Sequence, residues 1–317
     1  MKKLVSLVLA LMLCLSCVSA LAAEAWTVTC PWAPSGVAAM VNQKAASLST
    51  TYSQDYVLVA NAEKGDTATI NSWLTKYTEA DPQMCFIGEG MFGITAILDP
   101  ERMNFTYDDF KYVENLYSSI FVASARKELG LTSIDALKAY LEEGNQIMVG
   151  TNGATGSEAF LAAALIGAMG YGDQFYLIPY ESAAEAAQAV ARGEVDIAVS
   201  HQSQILETWQ QGGVDVFAAF DGEPIAQGPF KGVEGVGQYG YPYFRNRCFI
   251  FAKAGADAQK IADLKALYAQ ILTDEEMVDW LNNTMLLEAD MMTEEEVIAH
   301  IDNVKNIVEE YYDLVAE

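Results

Sequence analysis

Apolar residues in this chain fall into short runs of about four to eight, the length of a buried strand. Between them lie longer stretches whose apolar positions recur three and four apart, as on one face of a helix. The runs predict strands over Thr27–Pro31, Tyr56–Ala60, Met84–Gly88, Tyr117–Ala123, Gln146–Gly150, Phe175–Pro179, Val195–Ser200, Val214–Ala218 and Phe249–Lys253. The helical periodicity predicts Val37–Leu48, Thr67–Thr78, Ser133–Leu141, Glu158–Met169, Ala183–Arg192 and Asp257–Leu272. Strands alternating with helices argue for an α/β fold with mixed, mostly parallel sheets. Two further helices close the chain. Thr273–Glu276 and Thr293–Glu296 each place a Glu three residues after a Thr, the spacing of a capping box. In the last helix Val297, Ile301, Val304, Val308, Tyr311 and Val315 form a packing stripe. Asp221–Tyr243, rich in Gly, Pro and Tyr, reads as a long connection.

Two strand-to-helix turns stand out. The first is Pro31-Trp32-Ala33-Pro34-Ser35-Gly36, and the second is Thr151-Asn152-Gly153-Ala154-Thr155-Gly156-Ser157. A helix start carries backbone N–H groups without intrahelical acceptors, and these attract anions. Two such turns read as the halves of one site for a small carboxylate. Gly36, Gly153 and Gly156 serve equally as turn formers and as points of close approach. Tyr180, directly after Pro179 at a strand end, places its hydroxyl toward a cleft. Ser182, three residues before Glu185, fits a helix cap. Asp196 reads as a tie to a neighbouring loop, and Ser200 and His201 follow the carboxyl end of a strand.

Gly88-Glu89-Gly90-Met91-Phe92-Gly93 fits GxGxxG after a strand, with Asp108 and Asp109 about 20 residues on, as a dinucleotide fingerprint requires. That leaves an exported dinucleotide-binding oxidoreductase as an alternative. Against it, the strand is third rather than first, and Glu89 would oppose a pyrophosphate. The other reading is a turn at the mouth of a ligand cleft, with Gly88 and Glu89 lining the pocket. There is no GxSxG elbow, HExxH or Walker loop, and only two histidines, His201 and His300, are present for base chemistry. No enzyme activity, cofactor or metal is expected.

Lys2 and Lys3 precede the apolar run Leu4–Leu15, and Ala20-Leu21-Ala22 offers a cleavage site, so residues 1–22 read as a secretory signal peptide. The mature chain then begins near Ala23, and Cys17 leaves a lipid-anchored form as an alternative. Losing the two lysines takes the net charge from −25 to −27. Nucleic acid and anionic lipid are thereby poor partners, and an anionic ligand would need local N–H dipoles to overcome the long-range field. Cys30, Cys85 and Cys248 lie in apolar strand segments and read as buried, inert thiols.

The ordered motifs resemble the extracytoplasmic solute receptors of tripartite tricarboxylate transporters, the TctC or Bug family, over nearly the whole mature chain. The family's opening P-(F/Y)-x-P-G-G-x-x-D is similar to Pro31–Gly36, its Asn and Gly after the second strand to Asn61 and Gly65, and its Y-D-x-x-x-D-F-x-P-V to Tyr107–Val113. Its S-x-G-x-G-S turn is similar to Asn152–Ser157, its P-Y-x-G to Pro179–Ser182, and its G-G-x-V-D to Arg192–Asp196. The chain departs at Ser35 for the first Gly of the pair, Ala39 for the following Asp, Phe160 for a His, and Asp66-Thr67-Ala68 for A-G-G. The backbone half of the anion site is kept better than the side-chain half, and Ala39 withdraws support for an amino-bearing ligand.

The resemblance implies a two-lobe, Venus-flytrap binding protein that is exported to the periplasm or cell surface as a monomer. It would deliver a carboxylate to the membrane permease subunits of such a transporter; a ligand-sensing domain for a membrane sensor is the other output. The expected lobes are residues 23–123 with 247–317, and residues 124–246. The expected ligand-binding residues are Trp32–Gly36, Gly88, Glu89, Thr151–Ser157, Tyr180 and Ser200.

Overall fold

In a computed structural model, which describes residues 23–315, the chain builds two mixed sheets, each flanked by helices. The first begins with β1 (Glu24–Cys30), α1 (Val37–Tyr52), β2 (Tyr56–Ala62), α2 (Thr67–Lys76) and β3 (Gln83–Gly88). β1 sits between β2 and β3 and is parallel to both. Each crossover carries a helix, as parallel neighbours require. β4 (Phe110–Ser119) extends this sheet and β5 (Phe121–Arg126) opens the other. The apolar run at 117–123 is therefore two strands, and the change of sheet falls at Ile120. Phe121–Ala123, expected in the first lobe, pair instead in the second sheet.

The second sheet continues through α3 (Ile134–Glu142), β6 (Ile147–Asn152), α4 (Ser157–Ala168), β7 (Phe175–Tyr180), α5 (Ala183–Ala191), β8 (Ile197–His201), α6 (Gln202–Gln210) and β9 (Val214–Ala219). Its order is β7-β6-β8-β5-β9, with β6 parallel to β7 and β8 and β5 antiparallel to β8 and β9. Asp196 ties two strands of this sheet rather than a neighbouring loop: it accepts from Arg126 Nε of β5 at 2.9 Å and from the Met148 N–H of β6 at 2.8 Å. Helix α6 falls between two strands, as the alternation of elements requires, and buries Ile205.

β10 (Asn246–Lys253) returns the chain between β3 and β4, antiparallel to both. The first sheet then runs β11-β4-β10-β3-β1-β2, where β11 is the short strand Glu288–Ala289. Helices α7 (Ala258–Leu272), α8 (Glu275–Trp280) and α9 (Glu294–Glu310) close the chain. Thr293 caps α9 with Glu296 as the spacing predicts. At α8 the cap is Asp274, not Thr273: its carboxylate accepts the Met277 N–H at 3.0 Å.

The stripe on α9 is shared between two cores. Val297 and Ile301 pack with Phe249 and Phe251 of the first lobe. Val304 and Val308 join Phe160, Leu161 and Phe217 of the second. Residues 247–317 therefore do not belong to the first lobe alone; the last helix crosses from one core to the other. Among the described residues no helix is long and apolar enough to cross a membrane. The expected signal segment and Cys17 lie outside the described residues.

Candidate functional site

The first turn behaves as its sequence suggests. β1 ends at Cys30, Pro31 has no N–H to continue the ladder, and the Gly36 N–H closes the turn on Ala33 O at 2.8 Å. Gly36 is the N-cap of the 16-residue helix α1, with no side-chain cap and no acid in the first turn. The first helical bond runs from Met40 N to Gly36 O at 3.0 Å. The N–H groups of Val37, Ala38 and Ala39 thus lack intrahelical acceptors. Gly36, Val37 and Ala38 face a cavity of about 640 Å³.

The second turn is organised differently. Gly153 takes φ 75°, a left-handed conformation that glycine adopts without strain, and Thr151 Oγ1 donates to Gly153 O at 2.8 Å. Glu158 follows at the start of α4, only 6% exposed, and its carboxylate folds back over Gly156 to accept its own N–H. Burial pushes the Glu158 carboxyl up to about 7, and the charges of Glu89 and Asp66 act in the same direction. Glu89, 0% exposed, reaches the same place from β3: its Oε1 accepts from Ser157 Oγ at 3.1 Å and Asn246 Nδ2 at 2.9 Å. Its Oε2 accepts from the Arg247 N–H at 2.8 Å. Burial raises the Glu89 pKa even against these donors. The helix start that the sequence offers to a ligand carboxylate already holds one of the chain's own, a favourable place for it at the positive end of a helix.

The cavity lies between the carboxyl ends of strands from both sheets, where open α/β sheets bind ligands. Trp32 and Ala33 follow β1, Gly88 ends β3 and Glu89 follows it, and Asn152 ends β6 with Gly153–Ser157 after it; all line it. Tyr180 at the end of β7 and His201 at the end of β8 do so too. Tyr117, Phe121 and Met91 give the wall apolar area. Two cationic contacts span the lobes at its edge: Lys64 Nζ meets Glu181 Oε2 at 2.8 Å, and Arg102 Nη1 donates to Thr155 Oγ1 at 3.0 Å. Arg102 also reaches Asp66 at 3.4 Å and Asp99 at 3.8 Å. His201 shares Nδ1 with Ser119 Oγ at 2.8 Å, and burial pushes its pKa down to about 3, so it is neutral at physiological pH.

Of the residues expected to bind ligand, Pro34 and Ser35 are exposed on the outside of the first turn, away from the cavity. Thr151 and Ser200 are fully buried behind the wall. In each case strand or turn geometry turns the side chain away from the neighbour that does face the cavity. The others line it. Lys64, Asp66, Asp99, Arg102, Glu158, Glu181, Gln204 and Asn246 line it as well and were missed. Asp66 carried a signal in the sequence: it stands where the family that the motifs resemble has A-G-G, and it takes φ 51°, ψ −129°, a conformation suited to glycine.

The GxGxxG match has a packing explanation. Beyond Gly88 the chain turns directly into helical conformation, with a π-helical turn at Met91–Thr95. A Cβ on Gly90 would lie 2.7 Å from Ser157 Oγ, and one on Gly93 would lie 2.5 Å from Val304 Cγ1. These glycines let helices approach. Glu89, aimed at α4, occupies the place a phosphate would need.

No family model matches this chain, and no curated protein does. Solved structures share its fold. BugD, a periplasmic binding protein, superposes with a TM-score of 0.78 at 16% identity over 92% of this chain and 98% of its own. Rpa4515 of R. palustris, solved with adipate, gives 0.80 at 15% identity over 92% and 96%. MatC from Rhodopseudomonas palustris, solved with bound malate, gives 0.76 at 17% identity over 92% and 98%. The chain therefore has the two-lobe fold of periplasmic binding proteins, and BugD bears the name of the family its motifs resemble.

Proposed function

We propose that this chain is an extracytoplasmic solute receptor of the TctC/Bug kind. It holds a small carboxylic acid between its lobes and delivers it to a tripartite tricarboxylate-type permease. The observation that carries this reading is the start of α1, which has no side-chain cap and whose residues Gly36, Val37 and Ala38 line a cavity bounded by both lobes. A carboxylate there gains hydrogen bonds and the positive end of the helix dipole at once. Adipate and malate in fold neighbours agree with an acid of this size. Cavity volume and apolar wall suit a ligand with a short carbon body.

The receptor would be exported as a monomer, with a form lipid-anchored at Cys17 as the alternative, and closure on the solute would present the surface that the permease reads. A melting-temperature screen over short aliphatic mono-, di- and tricarboxylates tests the binding claim, because a ligand of the folded state raises the midpoint. A rise with at least one acid is the expected result. A flat screen, with NADH or FAD raising the midpoint instead, would contradict it.

A further inference from the structure

The segment between α8 and α9 holds a strained residue that reaches from one lobe to the other. Leu281–Met285 make a π-helical turn that ends on Leu286, which takes φ 53°, ψ 45°. A leucine is strained in this left-handed region, where glycine rests without cost. Leu281, Met285 and Leu287 are buried in the core of the first lobe. Leu286 itself is half-buried and packs on the second lobe, against the cluster that holds Val122 and Ile205. The π-helical turn also packs on α6 of that lobe. Glycine would relieve the backbone here but would carry no side chain to reach across. Strain kept at such a place points to a role for the contact.

Two residues on, β11 pairs Glu288 with Ser118, close to the change of sheet at Ile120. Arg245 Nη1 donates to Glu288 Oε2 at 2.6 Å, and its Nη2 donates to Asp221 Oδ2 at 2.9 Å, just past the end of β9. Two residues further, Asp290 Oδ2 accepts from Arg247 Nε at 2.7 Å, and Arg247 Nη1 meets His300 Nδ1 of α9 at 3.0 Å. Arg245 and Arg247 flank Asn246, where β10 begins and the chain returns to the first sheet. The Arg247 N–H is the one that Glu89 holds at the cavity floor. Leu286, Glu288 and Asp290 thus join the second lobe, the returning strand and the crossing helix, and all three lie outside the cavity wall.

We infer that residues 286–290 are a strap that holds the lobes shut, so that side chains away from the solute set how tightly it is bound. The inference rests on the receptor reading above and adds the residues that govern closure. The strap is seated in a structure whose cavity edge is also bridged, by Lys64 with Glu181 and by Arg102 with Thr155. A seated strap therefore belongs to the shut arrangement. The affinity of a solute that binds this arrangement falls in proportion as the arrangement is depopulated. Leu286 carries most of the effect, because the Glu288 side chain is 54% exposed and an exposed ion pair contributes little.

Leu286→Ala, Leu286→Gly and Glu288→Gln in the mature chain test this, by solution scattering without solute and by calorimetry with malate, adipate and the short aliphatic acids of the melting screen. Without solute, Leu286→Ala should have a larger radius of gyration than the parent. An acid that binds the parent should bind both Leu286 variants about fivefold more weakly, and Glu288→Gln less than about twofold more weakly. Leu286→Gly should nevertheless melt above Leu286→Ala, because it relieves the backbone. Affinity then follows the lost side chain and not stability. A radius equal to the parent's would overturn the strap, and so would losses of affinity that track the melting temperature; either leaves the receptor reading standing. No acid binding the parent would overturn the receptor reading, and the radius of the solute-free variant would still decide the strap.

Discussion

Glu89 Oε1 accepts the Ser157 hydroxyl at 3.1 Å, joining the end of a first-lobe strand to the first turn of a second-lobe helix. The same carboxylate holds Asn246 and the Arg247 N–H, so one side chain organises the floor of the cavity and the start of the returning strand β10. Glu89→Ala leaves three donors in a buried place without an acceptor and should cost about 2–4 kcal/mol. Glu89→Gln keeps one acceptor oxygen and should cost less. Urea unfolding measures both: the midpoint should fall further for Ala, at an unchanged slope. Equal midpoints would remove Glu89 from this role.

Glu158 gives a pH dependence whose sign is fixed by the direction of its shift. Its folded carboxyl lies near about 7, above the unfolded value, so between about pH 4.5 and 7 the native state holds a proton that the unfolded chain has lost. Stability from this group is present below that window and declines through it as pH rises. Glu158→Gln should thus match the parent near pH 4.5 and exceed it by up to about 3 kcal/mol above pH 7.5. His201 and His300, both held down near about 3, act oppositely below pH 6.5 but are common to both proteins and cancel in the difference. A constant gap across pH would contradict the assignment.

Asp66 separates backbone strain from side-chain contact. At φ 51°, ψ −129° an Asp is strained by about 1–3 kcal/mol where Gly is not. Asp66→Ala and Asp66→Gly both lose the contact to Arg102, and only Gly relieves the backbone. Asp66→Gly should therefore melt above Asp66→Ala. If Ala is equal or better, this loop does not hold the conformation described.

The three described thiols should be silent in the native protein. Cys30, Cys85 and Cys248 are all free and buried, and burial pushes Cys30 up to about 12. A thiol so protonated has little nucleophilic thiolate. Iodoacetamide near pH 8 should label them only after unfolding, read by intact mass. Rapid native labelling would show that the wall around Cys248 opens.

Much of the fold was legible because its punctuation is chemical. Pro31 and Gly36 stop a strand and start a helix, Ser182 caps α5, and the Thr293–Glu296 box opens α9. The change of sheet at Ile120 was not legible, because β4 and β5 form one apolar run and only their partners distinguish them. The stripe on α9 has the same spacing whether it meets one core or two. In the site, backbone turns were readable, but long polar side chains were not. Arg102 reaches the cavity from a short turn after Asp99, and Glu158 curls back over its own helix start, choices set by neighbours remote in sequence.

The crossing of α9 between cores also bears on motion. Opening the lobes must slide or bend this helix, since Ile301 and Val304 pack on different sides of the cleft. The expected movement is a modest rotation about β4, β10 and α9.

Solution scattering tests the central claim, that the solute binds between the lobes and draws them together. With a saturating concentration of the acid that most raises the melting temperature, the radius of gyration should fall below that of the ligand-free protein. A radius that stays the same while calorimetry shows every site filled would contradict the account, leaving a preformed pocket and no closure for a permease to read.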